Sequence, residues 1–437
     1  MFLTKRFFAL FGLVIVLFVA SFPFPGLFFV AQACFVLALA LLLADITLLF
    51  LKKPNLTIKR SLNPVFSLSD QNPVEFFLTN NSRLHLKIAL LDELPVQFQR
   101  RDFTIHLSLG PGEAYAAKHY LRPLTRGVYR FNYINVFIST RLGLVERRLI
   151  VRQPEEVAVY PSILQMKRFE LRAMRHIAHE TGIKKMRRIG HSYEFEQIKN
   201  YVQGDDYRSI NWKASSRRAQ LMVNQYEDER SQQVYCVIDK SRVMRMPFDG
   251  LSLMDYAINA SLALTNIILK KQDKAGLLSF SDVVGATIKA ERDTGQLNRI
   301  IEALYREKER PVESNYELLY EASRRLISAR ALLILFTNFE SNYALDRALP
   351  ILRRLNKFHL VVVVFFENTE IRELAQAKVF KTADIYRQTV ARQFLQEKKE
   401  MVQKLRQYGI QAILTKPQDL TLNTINKYLE LKSRGLI

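Results

Sequence analysis

Two apolar N-terminal transmembrane helices, a β-rich middle domain and a C-terminal α/β domain of the doubly wound kind are the architecture this sequence predicts. Three observations predict it. Apolar residues crowd into the first fifty positions, period-two alternation runs from 54 to about 151, and apolar strands then alternate with helical stretches to the end. The 437 residues leave room for two or three separate cores.

The anchor comes first. Residues 7–22 carry no charge, and Pro23, Phe24, Pro25 and Gly26 then form a turn that no helix would cross intact. Residues 27–51 are long enough to cross a hydrocarbon core, with Asp45 falling near the interface. Lys5 and Arg6 precede the first run, and Lys52 and Lys53 close the second. Positive charge at both outer ends predicts a hairpin with both termini and the main body in the cytoplasm. A cleaved signal peptide is the rival reading, but a second apolar run follows at once and no small-residue cleavage site stands out.

Composition narrows the partners. The formal net charge is +22, which suits either nucleic acid or an anionic membrane surface. A membrane-tied chain with no helix-turn-helix or aromatic-and-basic motif favours the membrane surface and no nucleic acid. Two cysteines, Cys34 and Cys236, lie in a hydrophobic span and a core strand, so the chain fits a reducing compartment. No cysteine-and-histidine cluster has zinc spacing.

In the middle domain (54–155), strands are predicted at 56–62, 74–79, 87–91, 103–109 and 134–139, separated by turn residues such as those at 69–73 and 110–112. Short strands at this spacing suggest a small immunoglobulin-like sandwich. Arg122, Pro123, Arg126 and Gly127 read as a structural turn.

A dense block follows within 156–230. Phe195, Ile198 and Val202 recur at helical spacing and predict an amphipathic helix over 193–203, capped by Gly204. Asp205 or Asp206 would then cap a short helix leading into Trp212. The block has no nucleophile–base pair and no metal-ligand spacing, so docking within the fold or partner contact fits better than catalysis. Glu194-Phe195, Gly204-Asp205, Arg208, Ile210-Asn211-Trp212 and Ser216-Arg217, in that order, resemble the hallmark of the bacterial domain of unknown function 58 family. The 159–161 Val-Tyr-Pro, the Arg126-Gly127 turn, the closing 428–432 segment and the two leading spans add to the resemblance. Asn211 stands where that family has Asp. The resemblance implies that Glu194, Phe195, Gly204, Asp205, Arg208, Trp212 and Arg217 are signature or partner residues.

The last domain (231–437) alternates apolar strands at 234–238, 276–279, 283–289, 331–337, 360–366 and 411–415 with helices at 253–270, 295–308, 316–328 and 420–433. Such strands form mostly parallel sheets covered on both faces, with ligands beyond their carboxyl ends. The first strand ends at Asp239 and is followed by Lys240-Ser241-Arg242-Val243-Met244, with no glycine-rich phosphate loop, so no nucleotide is expected to bind. Asp239-x-Ser241 is similar to the metal-ion-dependent adhesion motif of von Willebrand A domains, Asp-x-Ser-x-Ser completed by a Thr and an Asp. That resemblance implies a degenerate Mg²⁺ site at Asp239, Ser241, Ser314 and Asn338. Val243 replaces the second serine, and Asn338 the second carboxylate. A hard cation depends on charged oxygens, so no cofactor is expected to be held tightly and Mg²⁺ only weakly.

These readings predict a non-enzymatic, membrane-anchored interaction scaffold of the bacterial inner membrane. The family resemblance implies a MoxR-type AAA+ ATPase as partner, in the assembly or activation of protein complexes. The alternative is a membrane-associated hydrolase or transferase using the acids of the signature block.

Overall fold

The computed structural model describes residues 1–51, 55–100, 103–162, 166–167, 194–202, 205, 207–227, 231–377 and 381–437. They fall into two compact units, Met1–Ser162 and Ile163–Ile437.

The first unit opens with a short strand β1 (Phe2–Leu3) and helices α1 (Lys5–Ala20) and α2 (Leu27–Phe50). Helix α2 is long and apolar enough to cross a membrane; α1, at 16 residues, is shorter. Eight strands start with β2 (Leu56–Leu62), β3 (Val65–Ser67), β4 (Asn72–Asn80) and β5 (Leu86–Asp92). They continue with β6 (Thr104–Leu109), β7 (Ala114–Leu121) and β8 (Gly127–Ser139), and the long β9 (Val145–Tyr160) completes the set. One sheet has the order β1-β9-β8-β5-β6, with β3 added beside β9; the other is β2-β4-β7. Alternating buried residues such as Val74, Phe76 and Leu78 on β4 and Leu86, Ile88 and Leu90 on β5 supply the core. Arg60 of β2 crosses between the sheets to Asp92 of β5 at 2.7 Å, both side chains fully buried. The same guanidinium donates to Gln153 O at 2.6 Å and lies 5.0 Å from the Phe131 ring centroid.

Helices α1 and α2 and this sandwich are tied by the β8–β9 turn. Asp45, expected near an interface, is fully buried in α2. It accepts hydrogen bonds from the Thr140 hydroxyl and from the backbone N–H groups of Leu144 and Val145, at 2.8 and 3.0 Å. Arg147 donates to Leu49 O at 2.7 Å, while Thr4, before α1, donates from its hydroxyl to Gly143 O at 2.6 Å. One turn therefore holds the start of α1 and the end of α2.

In the second unit, β10 (Glu194–Asn200) and β11 (Met222–Glu227) form an antiparallel pair, with α3 (Trp212–Arg218) between them in sequence. The helix predicted over 193–203 is thus a strand, and Gly204 lies outside the described residues. The cause is a bulge between positions 195 and 197: positions 195 and 198 pair with 226 and 224, two apart on β11. A three-residue spacing on a bulged strand then counts as two on its partner, which imitates a helical period.

The rest is a six-stranded sheet. Its strands are β12 (Gln233–Asp239), β15 (Lys274–Phe280), β16 (Val284–Glu291), β17 (Leu332–Phe336), β18 (Leu360–Phe366) and β19 (Gln411–Thr415), while β13 (Pro247–Phe248) and β14 (Leu251–Ser252) form a small hairpin outside it. The order is β16-β15-β12-β17-β18-β19, parallel except for the edge strand β16. The helices are α4 (Leu253–Lys270), α5 (Gln296–Arg306), α6 (Tyr316–Leu326), α7 (Asn342–Phe358), α8 (Thr369–Gln376), α9 (Thr382–Gln407) and α10 (Leu420–Ser433). Val234, Cys236 and Ile238 pack with α4 and α10 on one face, while Tyr235 and Val237 pack with residues of α7 and α9 on the other. Because both faces are buried, these strands are continuously apolar, the doubly wound pattern.

Candidate functional site

Strand β12 delivers Asp239 to the carboxyl end of the sheet, beside the end of β17, where open α/β sheets place their ligand sites. The carboxylate is fully buried. Its Oδ2 accepts from the Ser314 hydroxyl at 2.6 Å and the Thr337 hydroxyl at 2.7 Å, and its Oδ1 accepts from the Ser241 N–H at 2.9 Å. The Ser241 and Ser314 hydroxyl oxygens are 2.8 Å apart. Because the Thr337 proton is committed to Asp239, the Tyr316 hydroxyl, 2.9 Å from Thr337 Oγ1, is the donor of that pair. Burial pushes the Asp239 carboxyl above its ordinary range, and the Ser314, Thr337 and Ser241 hydrogen bonds pull it back. Burial and the Asp239 charge raise the Tyr316 phenol as well. Lys240, next in the chain, is turned to Glu307 at 3.0 Å and pairs there instead.

The structure brings together three of the four residues singled out for a metal: Asp239, Ser241 and Ser314. Asn338 is differently engaged. Its Oδ1 accepts from the Lys398 ammonium at 3.0 Å, and that ammonium also donates to Phe339 O. Burial lowers Lys398 to about 8, with Glu340 acting in the opposite sense. Residues suited to Mg²⁺ would be several charged oxygens around one point. The residues here offer one carboxylate, hydroxyls already bonded to it, and an amide oxygen facing a cation, so they fit a tightly held divalent ion poorly. Among the described residues no three of His, Cys, Asp and Glu form a metal-binding group. Thr337, Tyr316 and Lys398 were not foreseen as site residues. Thr337 could have been, since it ends a parallel strand beside Asn338; Lys398 comes from α9, whose mixed polar sequence gave no strong amphipathic signal.

The signature residues lie around β10, β11 and α3. Asp205 pairs with Lys199 at 2.9 Å and accepts from the Val202 N–H at 3.1 Å, and these bonds hold its carboxyl below the usual range. Arg208 reaches the Tyr207 hydroxyl at 3.4 Å. Asn211, rather than Asp205 or Asp206, caps α3: its Oδ1 accepts from the Ala214 N–H at 3.0 Å. Its amide donates to Asn224 Oδ1 at 2.8 Å. Trp212 is 70% exposed, so it is not docked in a core. Arg217, with Asn211, Lys213 and Arg218, borders a shallow cleft beside Ile198. Glu194 and Phe195 belong to β10.

The model of the family described as "Protein of unknown function DUF58" matches residues 197–392. The match takes in most of the signature block and the candidate site. "Uncharacterized protein YeaD" of Bacillus subtilis (strain 168) is 28% identical over 162 residues, 36% of this chain and 37% of that protein. The chain thus spans little more than a third of that relative's length. Among solved structures, the SpRpn10 VWA domain is 14% identical with a TM-score of 0.26, over 31% of this chain and 76% of that one. Bacteroides thetaiotaomicron BatB, a conserved hypothetical protein, is 15% identical with a TM-score of 0.24, over 32% and 68%. The CARDB domain of the Pyrococcus furiosus PF1109 protein is 20% identical with a TM-score of 0.19, over 24% and 93%. At these scores the likenesses carry no argument about this chain.

Proposed function

We propose that this protein is a membrane-anchored, non-enzymatic interaction scaffold. Its two N-terminal helices form a hairpin anchor with both termini and the main body in the cytoplasm. Its α/β domain is von Willebrand A-like and works with a MoxR-type AAA+ ATPase in the assembly or activation of protein complexes. The observation that carries the reading is the buried Asp239 carboxylate, surrounded by the Ser241, Ser314 and Thr337 hydroxyls at the carboxyl end of β12. The hydroxyls are held by a carboxylate, and among the described residues no His or Lys is a hydrogen-bond partner to take up their proton, which supports recognition over turnover. The anchor reading is supported by the length and composition of α2, and by one β-turn holding both outer ends of the helix pair.

The test is cross-linking of the tagged full chain in native membranes, followed by identification of what is captured. An AAA+ ATPase should be captured by the wild type and reduced at least several-fold with Asp239→Ala. Capture of no ATPase, or equal capture by both, would sink the partnership. Turnover by the purified chain on generic ester, phosphate or peptide substrates would sink the non-enzymatic reading instead.

A further inference from the structure

Where the start of α1 meets the outer face of the larger sandwich sheet, the first unit holds a cleft of about 720 Å³. Lys5 and Arg6 stand on its anchor side, and Lys87 of β5 and His106 of β6 on its sheet side, with Ser108 beside them and Glu146 the one acid. Lys87 pairs across the ladder with Ser108 and Ser139, and Ala89 with His106, so these residues share one sheet face. Among the described residues, Lys5, Lys87 and His106 make no ion pair. Arg6 makes one long bond, to Leu142 O at 3.4 Å.

Unpaired cations are ordinary on a surface, and Lys5, Arg6 and His106 are themselves exposed; here they converge on the rim of one open cleft. Three fixed positive charges face a single negative one. The pocket also opens where α1 begins, beside aromatic Phe2, whose ring meets Phe137 at 5.8 Å. In a chain whose adjoining helices enter a bilayer, that level is the headgroup layer, where anionic lipids attract Lys and Arg.

The geometry points to a binding site for the headgroup of an anionic phospholipid. Lys5 and Arg6 would contact the phosphate from the helix side and Lys87 from the sheet. The Ser108 hydroxyl and the His106 imidazole lie within the same pocket for the polar end of the headgroup. The inference rests on the anchor reading above, and it deepens that reading by assigning the lipid to named residues.

The test uses the full chain, purified in mild detergent and stripped of lipid. It is titrated with dioctanoyl phosphatidylglycerol, dioctanoyl phosphatidylcholine or inorganic phosphate, with bound lipid counted by native mass spectrometry. Each cation near a headgroup is worth roughly fivefold in affinity, so Lys5→Gln, Arg6→Gln and Lys87→Gln together should weaken phosphatidylglycerol binding on the order of a hundredfold. Glu146→Gln should tighten it about fivefold, a gain that a misfolded variant could not imitate. Equal binding of phosphatidylcholine, or an unaffected triple variant, overturns the site. Displacement of the lipid by equimolar inorganic phosphate overturns the lipid as ligand in favour of a soluble phosphate. Extraction of the chain from membranes by alkaline carbonate tests the anchor separately. A chain that stays in the membrane yet binds no phosphatidylglycerol defeats the lipid site alone.

Discussion

Two fully buried aspartates, one in each unit, are satisfied in opposite ways. Asp92 in the sandwich faces the Arg60 guanidinium, an equal and opposite charge at 2.7 Å. Asp239 at the carboxyl end of the α/β sheet faces hydroxyls and one backbone N–H, all neutral. The ion pair is neutral overall, and the guanidinium also donates to Gln153 O. A carboxylate held by hydroxyls and one N–H has no counter-charge beside it, and burial raises its carboxyl above the ordinary range. The first arrangement lies between two sheets and the second at the carboxyl end of a central strand.

The largest effect should come from breaking the closed pair. Asp92→Ala leaves the Arg60 charge buried without its partner, and should cost about 3–5 kcal/mol. Replacing both residues by leucine should cost far less, because no charge is then stranded. Chemical denaturation of the full chain in detergent measures both, and a double variant as unstable as the single one would contradict this account.

The pair also predicts a pH dependence. Burial raises the Asp92 carboxyl from 3.8 to about 6 against the opposing pull of Arg60, and its Oδ2 has no hydrogen-bond donor among the described residues. Between about pH 4 and 6 the unfolded carboxyl has lost its proton while the folded one keeps it. The folded state binds more protons there, so stability falls as pH rises through that window. The loss attributable to Asp92 should be on the order of 1–3 kcal/mol. It should vanish in Asp92→Asn, as read from the difference between wild-type and variant melting curves at pH 4 and pH 6.5.

The open site should respond more mildly. Thr337→Val removes one hydroxyl from Asp239 and leaves the Ser314 hydroxyl and the Ser241 N–H in place. A cost of about 1–2 kcal/mol is expected. A loss as large as that of Asp92→Ala would mean that the two carboxylates do not differ in kind.

The smallest effect sharpens the contrast most. Millimolar Mg²⁺ or Mn²⁺ should not move the melting temperature of the wild-type chain, since Asn338 faces Lys398 and Val243 contributes no oxygen. At a hundredfold excess over its dissociation constant, a bound ion would add about 2.7 kcal/mol, too much to miss. Val243→Ser with Asn338→Asp should create a metal-dependent shift. A clear shift in the wild type would establish that hydroxyls and one carboxylate suffice.

Strands that are buried on both faces can be read directly: β12, β17 and β18 lie within a residue or two of where continuous apolar runs put them. So can α10, at Leu420–Ser433. Strand β9 was missed because its middle alternates between half-buried and exposed positions and carries charges and a proline. Helices α8 and α9 escape the sequence reading because they bury little, Ala375 alone on α8 and Ala391, Met401 and Leu405 on α9. Helix α7, by contrast, buries Leu345, Ala348, Leu349, Leu352 and Leu355 at a helical spacing that the sequence does show, interrupted by Pro350. At the site, Asp239 and Ser241 were legible because they are two apart in sequence. Lys398 joins from 60 residues beyond Asn338, a distance across which spacing carries no information. In the signature block, Asn211 reads as a lost acid, and the structure shows that its side chain caps α3 and bonds Asn224.

Asp45 has a mechanical consequence. The covalent path from α2 to the sandwich is one short segment, but the β8–β9 turn adds a second path through Thr140, Leu144, Val145 and Arg147. Two separated attachments resist rotation where a single tether would swivel. A change in the tilt of the helix pair would thus be transmitted to the sandwich as a lever arm, so that its far edge moves through a longer arc than the helices themselves.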